Sequence, residues 1–308
     1  MTSMNQIESS VYQSQFHEKL EAVPKPLSDL LTTYSHIPKD DQLDHVVKLR
    51  NEAYTYFPYP CIGTFRFLGF DLAAHYAYHE HVLSPLKAPY SDDAIEPLFL
   101  DLGTCFGQDL RRLAYDGALV HRLWASDVEP RFIDLGFRLF NDADKFPKDH
   151  FLCPGNLLSN SPDDRLQVLD NRVTILHLTA VFHLFSLNDQ KAVADHCLRL
   201  LRKDTGGPVL LVGAQVGSLT PGPFQRQNAS QEYSHKYSHN EQSWKELWDD
   251  VQGRDAWKDK IKNLEVKSKL LKRNKVKDAE SGEITVFTQP DPGSNLVWQM
   301  FEVWVTFS

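Results

Sequence analysis

The 308-residue sequence predicts an α/β fold, a mostly parallel sheet flanked by helices, with a helical N-terminal extension in front of it. Three observations lead there. Residues 97–108, P-L-F-L-D-L-G-T-C-F-G-Q, hold a short apolar run, an acid, two glycines and a helix start. From residue 97 onward, runs of strand length alternate with runs of helical spacing, as βαβ units do. Near the end K-L-L-K-R, I-T-V-F-T and L-V-W-Q-M-F-E-V-W-V-T-F follow one another with no helical pattern between them, which implies an antiparallel pair at one sheet edge.

The elements follow in order. After a polar tail of about ten residues, helical patterns run through Leu20, through Leu27, Leu30 and Leu31, and from Asp41 to Tyr56, where Leu43, Val46, Val47, Leu49 and Ala53 share a side. Two prolines and a glycine then stop the helix in Y-F-P-Y-P-C-I-G-T-F-R-F-L, a cluster of aromatics around Arg66. A helix is expected over Leu72 to Leu83; its His75, His79 and His81 suit an ordinary polar face better than a metal site, since no carboxylate completes a ligand pattern. The helix after the first strand ends at Asp116-Gly117, and V-H-R-L-W-A-S makes a second strand closing on Asp127. Pro130 suits the first turn of a helix to about Asp142. A third strand lies around Phe151, and R-V-T-I-L-H-L-T, almost continuously apolar or β-branched, reads as a central strand buried on both faces. A helix from Asn188 to Arg202, opened by the Asn as cap, precedes the fifth strand in G-G-P-V-L-L-V-G-A-Q. Residues 217–240 are too long and polar for an ordinary connection, and a helix from Glu241 to Val251 follows them.

Composition narrows the function classes. The 42% apolar content supports a full core. Net charge is -8, and basic residues cluster only between Lys267 and Lys277, which alternates like a strand with a solvated face, so no nucleic-acid partner is expected. Cys61, Cys105, Cys153 and Cys197 form no C-x-x-C pair, pointing to reduced thiols, no zinc and a cytoplasmic protein. The first residues lack an apolar signal core and no run approaches eighteen apolar residues, so no membrane partner is expected.

The glycine loop carries the chemistry. A backbone bent this sharply after a strand needs glycine at Gly103 and Gly107, and the free N–H groups of the following helix point at whatever sits above it. A dinucleotide loop would read G-x-G-x-x-G, but Cys105 and Gln108 stand at the second and third glycine positions, which weighs against an NAD-dependent oxidoreductase. An acid at the strand end, Asp101, suits a cofactor with a positive amino group, as in S-adenosylmethionine. Asp127, twenty-six residues on at the end of the neighbouring strand, suits both ribose hydroxyls. Val128 can lie against the adenine, and Asn156 either accepts a hydrogen bond from the adenine amino group or makes a simple turn. Since Asp101, Gly103 and Asp127 are all intact, a non-catalytic binding module is the weaker alternative.

Several stretches together resemble class I S-adenosylmethionine-dependent methyltransferases, and within them the fungal branch of secondary-metabolite pathways, notably of meroterpenoids. They are F-P-Y-P-C-I-G-T-F-R-F-L, L-D-L-G-T-C-F-G-Q-D-L-R-R-L-A-Y-D-G-A, A-S-D-V-E-P-R-F-I-D-L-G-F-R-L-F, the F-H-L-F at Phe182, G-A-Q-V-G-S-L-T-P-G and S-H-N-E-Q-S-W-K-E-L-W. The resemblance implies a Rossmann-like seven-stranded sheet with the last strand antiparallel. It divides the chain into a helical extension or lid at 1–96 and a methyltransferase domain at 97–308, with a substrate-side insertion near 217–240. The family's cofactor positions then fall on Asp101, Gly103, Gly107 and Asp127; Thr104, Cys105, Val128, Asn156 and Leu157 complete the expected cofactor site. Thr104 stands where many members carry cysteine, and Asn156 where Asp is usual.

Methyl transfer is a direct displacement, so the protein mainly has to hold the acceptor atom about 3 to 3.5 Å from the methyl carbon and in line with the sulfur. O-methylation of a carboxylate or hydroxyl on a small molecule is the expected reaction, N- and C-methylation staying open, as does the oligomeric state, a homodimer included. A carboxylate needs orientation, for which Arg66 is the candidate; a hydroxyl profits from a base, for which His183, His239 and His235 are candidates, with ordinary structural roles for His183 and His239 as the alternative. Tyr59 and His235 are expected with Arg66 among the substrate-binding residues. Tyr56, Phe57, Tyr59, Phe65 and Phe67 either cap an apolar substrate or shield a sulfonium, or else belong to the core.

Overall fold

The computed structural model describes residues 16–89, 95–159, 161–223, 236–271 and 295–308. Nine strands are seen among these: β1 (Phe99–Leu102), β2 (Leu123–Ser126), β3 (Phe151–Leu152), β4 (Ile175–Thr179), β5 (Val209–Ser218), β6 (Gly222–Pro223), β7 (Tyr237–Ser238), β8 (Ile261–Leu271) and β9 (Leu296–Phe307). Seven of them form one sheet in the order β3-β2-β1-β4-β5-β9-β8, and β6 and β7 pair with each other. β1 to β5 run parallel, while β9 enters antiparallel between β5 and β8. The mostly parallel sheet with an antiparallel last strand is therefore as the sequence predicts.

Strand alternation sends side chains to two faces. On one, Leu100, Leu102, Leu176, Leu178 and Leu211 pack with α7 (Leu187–Leu200) and α8 (Glu241–Gln252), whose Trp244 and Trp248 are fully buried. On the other, Phe99, Leu123, Ile175 and Leu210 meet Leu110 and Leu113 of α5 (Gln108–Tyr115) and the segment from Leu72 to Leu86. A third apolar cluster joins the N-terminal helices α1 (Lys25–Thr33) and α2 (Gln42–Tyr56) to Phe132, Leu135, Leu139 and Phe140 of α6 (Pro130–Phe140). Below it Arg111 reaches Asp142 with two hydrogen bonds of 2.8 and 3.1 Å, both side chains wholly buried, and Tyr34 donates to the same carboxylate.

Local differences from the sequence reading have local causes. No helix covers Leu72 to Ala77: the Leu72 N–H donates to the Asp109 carboxylate and the Ala77 N–H to His75 Nδ1, so these donors are withdrawn from a helical ladder. Only Tyr78–Leu83, as a π-helix, and α4 (Ser84–Lys87) are helical there. Residues 16–24 are not helical either. Val120–Arg122 is a 3₁₀ turn rather than strand, held by the buried Arg122 guanidinium on the carbonyls of Pro85, Leu86 and Ala88. Helix α7 is capped by Ser186, whose hydroxyl accepts the Asp189 N–H, and not by Asn188. β8 begins at Ile261, earlier than K-L-L-K-R, and alternates in exposure as far as Leu271, while residues 272–277 of the basic run lie outside the described residues. The I-T-V-F-T stretch lies outside the described residues. Within 217–240, the first two residues belong to β5, the β6–β7 ribbon closes the ends, and 224–235 lie outside the described residues.

Candidate functional site

The site lies past the carboxyl ends of β1, β2 and β4. The loop after β1 turns through three left-handed residues, Gly103 (φ 73°), Cys105 (φ 54°) and Gly107 (φ 67°). A Cβ on Gly103 would stand 2.5 Å from Val181 Cγ2, so glycine is needed for approach as well as for φ. The Gly103 and Thr104 N–H groups donate to the Ser126 carbonyl at 2.9 and 3.0 Å, and the Cys105 N–H to Asp127 Oδ2 at 2.8 Å. Loop and second strand end are thus one unit.

Asp127 is 8% exposed and takes the Glu129 N–H on its other oxygen at 3.0 Å. Burial pushes its carboxyl up to about 6, against three backbone N–H groups that favour the anion. Two oxygens offer about four acceptor positions, so a carboxylate with three backbone N–H partners can still accept from a ribose hydroxyl. Beside it Val128 is 54% exposed, an apolar surface suited to a base, and Gly103 shows its backbone to solvent. These features fit S-adenosylmethionine. Tyr59, expected on the acceptor side, lies within electrostatic reach of Asp127, Cys61, Cys105 and Glu129; burial and then Asp127 push its phenol up to about 12.

Several other predicted residues are held by partners within the fold. Asp101 is buried in β1, and both carboxylate oxygens are engaged, Oδ2 by the Thr104 hydroxyl at 2.6 Å and Oδ1 by His177 Nδ1 at 2.7 Å. It ties the loop to β4 from within. The Asn156 carbonyl accepts the Leu158 N–H at 3.0 Å, making the turn, and Leu157 is buried in the core behind it. His239, offered as a base, is 1% exposed with Nε2 at 3.0 Å from Gln190 Oε1 and Nδ1 at 3.0 Å from Ser243 Oγ. Both nitrogens are spent on internal partners, and burial pushes the ring down to about 4. His235 lies outside the described residues. Phe65 and Phe67 are core, and Phe57 stacks on Tyr59 at 4.0 Å.

Arg66 and His183 do come together. Arg66 bonds Asp71 at 2.5 Å and lies over the Trp298 ring at 4.0 Å, while its Nε is buried without a hydrogen-bond partner. His183, in the 3₁₀ turn Phe182–Leu184 after β4, accepts the Val216 N–H on Nδ1 at 3.4 Å. Burial, then the cations of Arg66 and Lys236, push it down to about 3. Ala180, Ala214, Val216, Trp298 and Met300 form an apolar cluster on the same strand ends. Trp298 and Lys236 carried no sequence signal of their own. Among the described residues no group of three or more His, Cys, Asp or Glu is arranged to hold a metal, and no helix is long and apolar enough to cross a membrane.

Residues 12–68 match the family described as the meroterpenoid methyltransferase N-terminal domain. The asnovolin E/chermesin D methyltransferase of Aspergillus novofumigatus is 33% identical over 83% of this chain and 86% of that protein. The chain belongs to the fungal meroterpenoid-type methyltransferases. An O-methyltransferase of a fungal species (strain ATCC 74256) is 31% identical over 79% of this methyltransferase and 76% of its own length. In fold, the methyltransferase matches a Galdieria sulphuraria protein assigned as a sarcosine dimethylglycine methyltransferase, with a TM-score of 0.50 and 14% identity over 76% of this chain and 83% of that one. The methyltransferase is a transferase of secondary metabolism that uses S-adenosylmethionine.

Proposed function

We propose that the enzyme methylates a carboxylate oxygen of a small secondary metabolite. The single observation that carries this reading is the Arg66 guanidinium, held by Asp71 at 2.5 Å and over the Trp298 ring with its Nε buried and unpartnered. Burial and the cations of Arg66 and Lys236 also push the His183 ring down, which makes it a poor base for a phenol or alcohol. The same two cations suit an acceptor that is already an anion. When bound, S-adenosylmethionine supplies an activated methyl group on a sulfonium. Asp127 accepts its ribose hydroxyls, Val128 covers one face of the adenine, and the exposed backbone at Gly103 borders its amino-acid end. Arg66 directs its unpartnered Nε to the acceptor carboxylate while Asp71 and Trp298 fix the guanidinium, and the apolar cluster from Ala180 to Met300 takes the acceptor's hydrocarbon body. Because Tyr59 and Arg66 come from residues before 97, the N-terminal region acts as one wall of the site as well as its lid.

The experiment supplies methyl-labelled S-adenosylmethionine and a matched panel of hydrophobic aryl carboxylic acids, each beside the phenol of the same skeleton. Labelled product from the acids, released by mild alkali as an ester's would be, is the expected result. Alkali-stable label from the phenols would replace the carboxylate with a hydroxyl.

A further inference from the structure

β1 and β4 carry a buried polar line that the methyl transfer itself does not require. Asp101 and His177 are direct register partners in the parallel pair, so their side chains meet on one face. Thr104 Oγ1 donates to Asp101 Oδ2 at 2.6 Å, Asp101 Oδ1 accepts from His177 Nδ1 at 2.7 Å, and His177 Nε2 meets Thr179 Oγ1 at 2.8 Å. Asp101, Thr104 and His177 are each 3% exposed or less. A carboxylate only accepts, so the His177 proton on this side is fixed to Nδ1 whatever the ring's charge. A histidine buried in an otherwise apolar strand has no packing reason to be there.

We propose that His177 is a positioning residue for methyl transfer, tying the cofactor loop to the end of β4 through Asp101 and Thr104. The two ends of this line are where placement matters. Thr104 is the second residue of the glycine loop, and Thr179 leads into Ala180 at φ 60° and Val181, whose Cγ2 lies under Gly103. His183 follows two residues later on the acceptor side. One side chain therefore fixes the separation of the two halves of the site, and a methyl transfer is sensitive to displacements well below 1 Å. The groups facing His177 are Asp101 from β1, Asp109 from α5, Asp71 and His75 from the segment before the π-helix, and the Phe99 ring at 6.1 Å. Burial opposes charge on the ring, and the three carboxylates outweigh it, leaving His177 above its ordinary value. Burial also pushes Asp109 up to about 7.

The inference rests on the loop at Gly103 to Gly107 being the cofactor cradle, and the experiment separates the two. S-adenosylhomocysteine is titrated calorimetrically into the full chain and into His177→Phe, His177→Asn, Thr104→Val and Asp127→Ala. His177→Phe and Thr104→Val are expected to weaken binding about tenfold or more, and His177→Asn, which keeps a donor toward Asp101, to stay within about threefold of the native protein. If folded His177→Phe and Thr104→Val both bind within about twofold of native, with only the melting temperature lowered, the residue is structural and the proposal is overturned. Should His177→Phe not fold, Thr104→Val decides by itself, since it cuts the line at the loop and keeps the shape. An unchanged Asp127→Ala would instead remove the cofactor from this loop altogether.

Discussion

The guanidinium carbon of Arg66 lies 4.0 Å from the ring centroid of Trp298, joining the segment before the glycine loop to the last strand of the sheet. The contact holds a cation beside His183 with one nitrogen committed to Asp71. Arg66→Gln removes the charge and the fork that both contacts use. Its turnover of a carboxylate acceptor should fall at least about a hundredfold, with S-adenosylhomocysteine affinity within a few-fold, and Arg66→Lys should rescue little because an ammonium cannot stack and pair at once. Equal loss of cofactor binding would make Arg66 a structural residue.

Asp127 gives the affinity its pH dependence. In the free protein burial holds the proton on up to about pH 6, whereas hydroxyl donors favour the anion, so binding releases a proton below that pH. Affinity for S-adenosylhomocysteine should be flat above pH 7 and fall toward tenfold per unit as pH drops through about 6. Calorimetry at pH 5.5 in buffers of different ionisation enthalpy should show the released proton. Asp127→Ala should cost roughly 2 to 4 kcal/mol, about thirtyfold to a thousandfold, and abolish the pH slope.

His239 and His183 should separate by assay. His239→Asn leaves Gln190 or Ser243 without a buried partner and should lower stability by about 1 to 3 kcal/mol in urea unfolding, with turnover per folded molecule unchanged. For His183, a ring already neutral well above pH 3 gives no limb to the rate profile between pH 5 and 8. An acid limb near pH 6.5 that vanishes in His183→Asn would reinstate it as a base.

Gly136 marks where α6 touches the cofactor loop. A Cβ there would stand 2.3 Å from the Phe106 carbonyl oxygen, a backbone atom that cannot swing aside. Although alanine is the better helix former, Gly136→Ala should destabilise by about 1 to 3 kcal/mol and weaken S-adenosylhomocysteine as well, because the strain is relieved by moving the loop. Unfolding midpoint and binding constant measured on one preparation test both effects.

Much of this was legible in the chain, and what was not has a physical cause. The L-D-L-G-T-C-F-G stretch marks the strand, turn and helix because glycine and apolar spacing are local signals, and Asp127 follows from its place at the next strand end. Residues 72–77 misled because their spacing is helical while the Leu72 and Ala77 N–H groups are taken by Asp109 and His75, one of them distant in sequence. His239 looked available because a polar, proline-bearing stretch suggests a surface, and only the packing of α7 and α8 shows it enclosed. His177 was passed over inside R-V-T-I-L-H-L-T; its meaning depends on the register that sets it opposite Asp101, and register is a property of two strands.

β9 comes last in the order of the strands yet lies inside the sheet, between β5 and β8. Until it is added, the ten residues of β5 present a nearly all-buried sequence with one side unpaired, and β8 has no neighbour in the sheet among the described residues. A chain emerging from the ribosome therefore carries an open, apolar edge for the whole time between making β5 and making β9, the kind of edge on which nascent chains associate. Trp298, which supports Arg66, arrives with that same strand, so sheet closure and completion of the proposed acceptor wall are one event in time.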